Sequence, residues 1–264
     1  MERLVYIKLG IALIGFIILI SIVSLFYTPY DPYAMNPNDR FLPPSVVHLL
    51  GTDNFGRDNF SRVITGSRYT LFVAVSTVSI GAFIGGILGL VAGYFGGIAN
   101  EIIMRVIDAI SSFPTILLAL VMVTVINKGR YTIIIALGIV FIPSFTRIVR
   151  SGTLQHRNSE FVTSAYIYGA SHIRIMFVHI LPNLRHSLIS SVIIGLSHAI
   201  LAEAGMSYLG MGIQPPIPSW GRMLFEGQTY LFNAPWEVLS SGLMIMITVL
   251  GFHYAGEGIQ KVYC

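Results

Sequence analysis

The side chains of this chain that could do chemistry are few and scattered. Seven histidines offer imidazole nitrogens of the kind that hold nickel or zinc, but a metal centre needs several ligands to converge. His156, His172, His179 and His186 fall in one polar stretch, while His48, His198 and His253 stand apart. No ligand pattern links them, so no metal site is expected. Three ionisable residues lie in or beside apolar runs, where an acid costs several kcal/mol unless it faces a cavity or a partner. These are Asp108, His198 and Glu203, the candidates for lining a pathway. Asp108 has Arg105 three residues earlier as a ready ion-pair partner at a membrane edge. Glu203 reads equally as a gate or as a paired structural acid. Glu257 reads as a solvated helix-end residue. No Ser-His-Asp or His-Glu-x-x-His arrangement is present. There is also no GxxxxGK[ST] loop to cradle a nucleotide phosphate, so the chain is no ATPase and no cofactor is expected. The one cysteine, Cys264, has no partner for a disulfide.

What must position these residues is mostly apolar. Of 264 residues, 54% are hydrophobic and 11% charged, against roughly 25% charged in soluble chains. The net charge of +4 is dispersed, which argues against a nucleic-acid footprint. A membrane-spanning helix needs about 20 apolar residues. Six runs between charges approach this: 9–30, 69–100, 109–127, 131–146, 186–202 and 238–256. The fourth is short, and Arg130 and Arg147 are expected to snorkel to opposite interfaces. The fold class is therefore an all-α, multi-pass integral membrane protein with six transmembrane helices. The first run is longer than a signal-peptide core and lacks a small-x-small cleavage site, so it is read as a span. Residues 1–68 form the first helix with an outer segment, and 69–264 a five-helix core. Arginines 147, 150, 157, 174 and 185 cluster in and beside one segment. By the positive-inside rule this places that segment and both termini in the cytoplasm.

Two further patterns stand out. Gly81, Gly85, Gly89, Gly93 and Gly97 recur every fourth residue, on one stripe of a helix. In lipid such a stripe permits close helix packing. The segment 214–221 carries three prolines and Trp220, and reads as a rigid outer connector or a gate, with the tryptophan at the interface.

The polar segment 160–183, EFVTSAYIYGASHIRIMFVHILPN, is far longer than an ordinary bundle connection of roughly 2–8 residues. Asn158 or Ser159 can cap a helix that has Glu160 in its first turn, with Phe161, Ala165 and Tyr168 on one face. Gly169 breaks it, a second helix resumes over 170–180, and Pro182 marks the turn into the fifth span. It has the form of a docking element for a soluble partner. The stretch resembles the EAA loop in permease subunits of binding-protein-dependent ABC importers. On that alignment the Glu-Ala-Ala falls on Thr163, Ser164 and Ala165. Ala165, Gly169, Leu181 and Pro182 match, Ala170 follows the glycine, and Glu160 stands one turn before the missing acid. LGTDNFGRDNFSRVITGSR (50–68), RVIDAISSFP (105–114) and AEAGMSYLGMGIQPPIPSWG (202–221) are similar to the second, C-type permease subunit of the dipeptide, oligopeptide and nickel class.

The resemblance implies a type I ABC importer permease with a cytoplasmic coupling loop at 150–185. It implies half of a channel, a second homologous permease, two ATPase subunits that bind ATP and magnesium, and a solute-binding protein outside. Peptide is the expected cargo, with nickel or a metal chelate as the alternative. A secondary transporter would call for inverted repeats and broken helices, and no internal repeat is visible.

Overall fold

A computed structural model describes residues 2–126 and 131–263. Arg130 and Cys264, on which two of the expectations above rest, lie outside the described residues. Among the described residues ten helices carry the fold: α1 (Glu2–Phe26), α2 (Asn59–Phe95), α3 (Gly97–Ser111), α4 (Thr115–Ile126), α5 (Thr132–His156), α6 (Glu160–Ile167), α7 (His172–Arg174), α8 (Arg185–Tyr208), α9 (Trp220–Gly227) and α10 (Pro235–Tyr263). Among these residues five stretches are long and apolar enough to cross a bilayer alone.

The Asp58 side chain starts α2 by accepting a hydrogen bond from the Ser61 amide at 2.8 Å. Gly96 ends it at φ 66°, a left-handed conformation that favours glycine. Between those caps, Gly81, Gly85, Gly89 and Gly93 face α5. A Cβ on Gly85 would sit 2.6 Å from the Ile142 carbonyl oxygen, and one on Gly89 2.6 Å from that of Thr146. Backbone meets backbone along this seam. Gly97 departs from the expected ladder: it opens α3 at φ 47° with open space around it. The stripe ends because the chain turns at Gly96.

The expected third crossing at 109–127 is a bent pair instead. Helices α3 and α4 meet at 91°, across a break that contains Pro114. Proline lacks an N–H and pushes the preceding residue out of the helical region. At 12 residues, α4 alone reaches only about 18 Å, so a sixth crossing exists only if the pair counts as one span. The fourth run proves longer than expected. Helix α5 continues through Arg147 to His156, because Arg147 pairs with Asp108 at 2.9 Å and Arg150 donates to Asn100 on α3.

Helix α10 runs antiparallel to α1, with Gly258 against Ile7 and Gly251 against Leu13. Its first turn joins the 28–58 segment, where Trp236 Nε1 donates to the Thr52 carbonyl at 3.0 Å. The bundle therefore has a cap end, built from 28–58 and 211–237. At the opposite end lie α6 and the outermost described residues of both termini.

Candidate functional site

At the end opposite the cap, α6 begins after Ser159, whose backbone is extended and whose side chain makes no capping bond. Val162 is buried and Ala165 partly so, packed on Leu90 of α2 and on Ile175, Ile180 and Leu184. Thr163, Ser164, Ile167 and Tyr168 point outward, Tyr168 being 90% exposed. Thus Ala165, expected to share a face with Phe161 and Tyr168, turns inward while those two are exposed. The chain reverses at Gly169, with φ 80° and nothing within 4 Å of a Cβ there. Its need for glycine is conformational. Ser171 then caps the next helix, its side chain accepting from the Arg174 amide at 3.3 Å.

Leu181 and Pro182 do not stop that helix. It widens to a π-helix over Ile175–Ile180, tightens to a 3-10 turn over Leu181–Leu184, and continues as α8. Proline removes a backbone donor, and a π-bulge is one way a helix absorbs it. A single rod from His172 to Tyr208 results. The hairpin is tied to the end of α2, where Tyr94 Oη lies 2.8 Å from His172 Nδ1. The rings of Phe95 and Tyr166 flank the same imidazole.

Between α5, α8 and α10 runs a cavity of about 380 Å³ whose polar lining includes Ser144, Ser187, Ser191, His198 and Gln260. It continues toward α6 as a wider groove with Ser151, Gln155 and Asn183. His198 is exposed within it. Ser144, Ser151 and Gln155 share one face of α5, and Ser187, Ser191 and His198 one face of α8, by their spacings of four and seven. This spacing was present in the sequence; the signal missed was polarity, not charge, repeating at helical period.

The other two pathway candidates do not join His198. Glu203 is fully buried, accepting hydrogen bonds from Ser207 at 2.6 Å and Ser219 at 3.0 Å. It fastens α8 to the segment before α9. Asp108 pairs with Arg147 across to α5, not with Arg105, which lies 3.4 Å from Glu101. Glu257 lies within α10, bound to Lys261 at 2.9 Å and His253 at 3.1 Å.

The cap holds a buried charge network. Buried Arg57 and Arg62 both donate to Glu226 Oε2, at 2.8 and 2.9 Å, and Arg57 also pairs with Asp53. Arg222 reaches the other oxygen of Glu226 at 2.9 Å. Burial pushes the Glu226 carboxyl up, but Arg62, Arg222 and Arg57 together hold it below its ordinary value. Asp53, Glu226 and Glu237 come within 4.8 Å of one another. Guanidinium groups, and for Asp53 Oδ1 the amides of Phe55 and Arg57, already occupy the oxygens of the first two, which is a poor fit for a cation. Trp220 is not interfacial: it is fully buried and donates to the Val63 carbonyl at 2.9 Å. His48 is buried against Asp58 at 2.9 Å.

A bundle of apolar spans, with a furrow whose mixed lining carries hydroxyl, amide and imidazole groups and an exposed short helix at one end, fits a multi-pass membrane transport subunit. Residues 85–262 match the family described as binding-protein-dependent transport system inner membrane component; the chain belongs to that family. It is 39% identical over 251 residues to the dipeptide transport system permease protein DppC of Alkalihalophilus pseudofirmus, spanning 95% of this chain and 83% of that one. It is 36% identical to the oligopeptide transport system permease protein OppC of Bacillus subtilis, spanning 95% and 82%. Among solved structures, the inward-facing MetNI methionine ABC transporter shares the fold, with a TM-score of 0.61 at 19% identity, covering 77% of this chain and 97% of that one.

Proposed function

We propose that this chain forms half of the translocation channel of an ATP-driven importer of short peptides. Its termini and α6 face the cytoplasm, its cap faces outward, and a second homologous permease completes the pathway. ATP and magnesium are bound by two partner ATPase subunits, and a solute-binding protein delivers cargo to the cap. The observation that carries the reading is α6 itself. It is a short helix at the end opposite the cap, exposing Thr163, Ile167 and Tyr168 while its inner face is packed onto α2 and the root of α8. A helix held in this way can receive a push from a soluble partner and pass it to two spans, the rigid-body motion alternating access requires.

Peptide as cargo rests on the relatives named for dipeptide and oligopeptide transport and on the furrow. Hydroxyl, amide and imidazole groups on α5 and α8 can exchange hydrogen bonds with peptide backbone without fixing on one charge. The test is uptake of labelled dipeptide by the chain co-expressed with its adjacent subunits. Dipeptide uptake that requires ATP, together with two ATPase chains on purification, supports the proposal. Uptake of nickel that dipeptides do not compete with overturns the cargo, and purification without an ATPase overturns the mechanism.

A further inference from the structure

A mostly apolar strip of α2, interrupted by exposed Ser79, begins just below Arg68. Phe72, Val75 and Phe83 follow it at intervals of four, seven and fifteen residues, which is one side of a helix. All three are exposed, Phe83 at 71%. No other element of this subunit covers the strip, and on a membrane-spanning helix such a surface suits acyl chains. Where the strip meets the cap there is a cavity of 340 Å³, within the roughly 300–1,000 Å³ typical of small-ligand sites. Leu25 of α1, Phe72 and Ile134 form apolar walls, and Arg68, Tyr69 and Tyr131 bring polar groups to its edge. Tyrosines at this level mark the interface between acyl chains and headgroups.

Arg68 makes the niche selective. Arg57, Arg62 and Arg222 in the cap all pair with acids. Among the described residues Arg68 has no ion pair, and its Nε is buried without a hydrogen-bond partner. Its guanidinium lies 5.9 Å from the Tyr69 ring, a weak cation–π contact at best. A buried donor left unmatched is costly, and a guanidinium donates to phosphate oxygens in a two-pronged geometry.

We propose that this niche binds an anionic phospholipid of the leaflet at the cap end, with the phosphate on Arg68 and an acyl chain along Phe72, Val75 and Phe83. The polar furrow lies elsewhere, on α5 and α8, so this lipid is a fixed companion of the subunit and not cargo.

The experiment uses the assembled complex in nanodiscs containing photoactivatable phosphatidylglycerol or phosphatidylcholine, with labelled peptides mapped by mass spectrometry. Phosphatidylglycerol is expected to label the peptides holding Phe72 and Tyr131 about fivefold more than phosphatidylcholine, the ratio one arginine supplies at a membrane surface. Arg68→Gln should erase that preference and Arg68→Lys keep most of it. Equal labelling by both lipids in the unmodified complex overturns the proposal, as does a preference that survives Arg68→Gln. Absence of labelling at both peptides, which a second permease covering the niche would produce, also overturns it. So does competition by inorganic phosphate, which would mean a soluble anion. If Arg68→Gln fails to assemble, the comparison of the two lipids in the unmodified complex decides alone.

Discussion

Three guanidinium groups converge on Glu226, so the charge on this one carboxyl governs the cap. Its folded pKa lies below the ordinary 4.5. The stabilisation it provides is therefore complete above about pH 4.5 and is lost as pH falls through the folded value. Thermal unfolding of the purified protein in detergent should show a flat optimum near neutrality and a decline below that point. Glu226→Gln should cost about 3–5 kcal/mol at pH 7, because it strands buried arginines, and should flatten the acid decline. An unchanged melting temperature in that variant would contradict the role. At Gly169 the demand is on backbone alone. Gly169→Ala meets no neighbour but forces a Cβ into the left-handed region, at about 1–2 kcal/mol. The spans should assemble normally while the hairpin loses its geometry. The measurable result is a complex that still purifies with both permeases but whose ATP hydrolysis responds weakly to cargo.

Among the elements, the seam between α2 and α5 is the most demanding sterically. Gly89→Leu would drive a side chain into the Thr146 carbonyl and Val149, whereas Gly86, on another face, has nothing within 4 Å. Gly89→Leu should abolish stable assembly, and Gly86→Leu should be tolerated; assembly yield by size-exclusion chromatography separates them. This seam was legible in the sequence because a glycine repeat of four makes sense only where another backbone comes close. Its end was not, since the turn at Gly96 is set by backbone angle and leaves no mark on the spacing. The broken third span was half legible: Pro114 was visible, but an apolar run with a proline in it still scores as a run. Charges misled at α5, whose arginines were taken as its boundary although Asn100 and Asp108 answer them from α3. The link from α2 to the hairpin gives a further test. Tyr94→Phe keeps the ring contacts and removes one hydrogen bond, about 0.5–1.5 kcal/mol. Uptake should fall several-fold by the same arithmetic, while basal ATP hydrolysis is unchanged. Equal losses in both would mean that the contact is merely structural.

At the scale of the whole molecule, two polar systems sit at opposite ends of an apolar bundle, and the sequence announced only one of them. The hairpin at 160–183 is contiguous, so its polarity, its glycine and its length could be read in one place. The cap is assembled from residues far apart, Arg62 and Glu226 being separated by 164 positions, and a count of local charges cannot see such a pairing. The same limit affected α6. Helical spacing alone put Ala165 on one face with Phe161 and Tyr168, but the apolar residues that draw it inward belong to α2 and to the stretch leading into α8. The outward residues Thr163 and Ile167 are therefore where a cysteine should crosslink to an ATPase subunit, and Ala165→Cys should crosslink poorly. Helix α6 has its inner side filled by Val162 and Ala165, so a partner can reach only the opposite side. Ile167→Asp places a charge on that side without touching the packing beneath it. Cargo-stimulated ATP hydrolysis and dipeptide uptake should then fall together by tenfold or more, about 1.4 kcal/mol or greater at the contact, while the two permeases still co-purify. A crosslink from position 163 to the solute-binding protein in place of the ATPase would invert the topology, putting α6 and both termini outside.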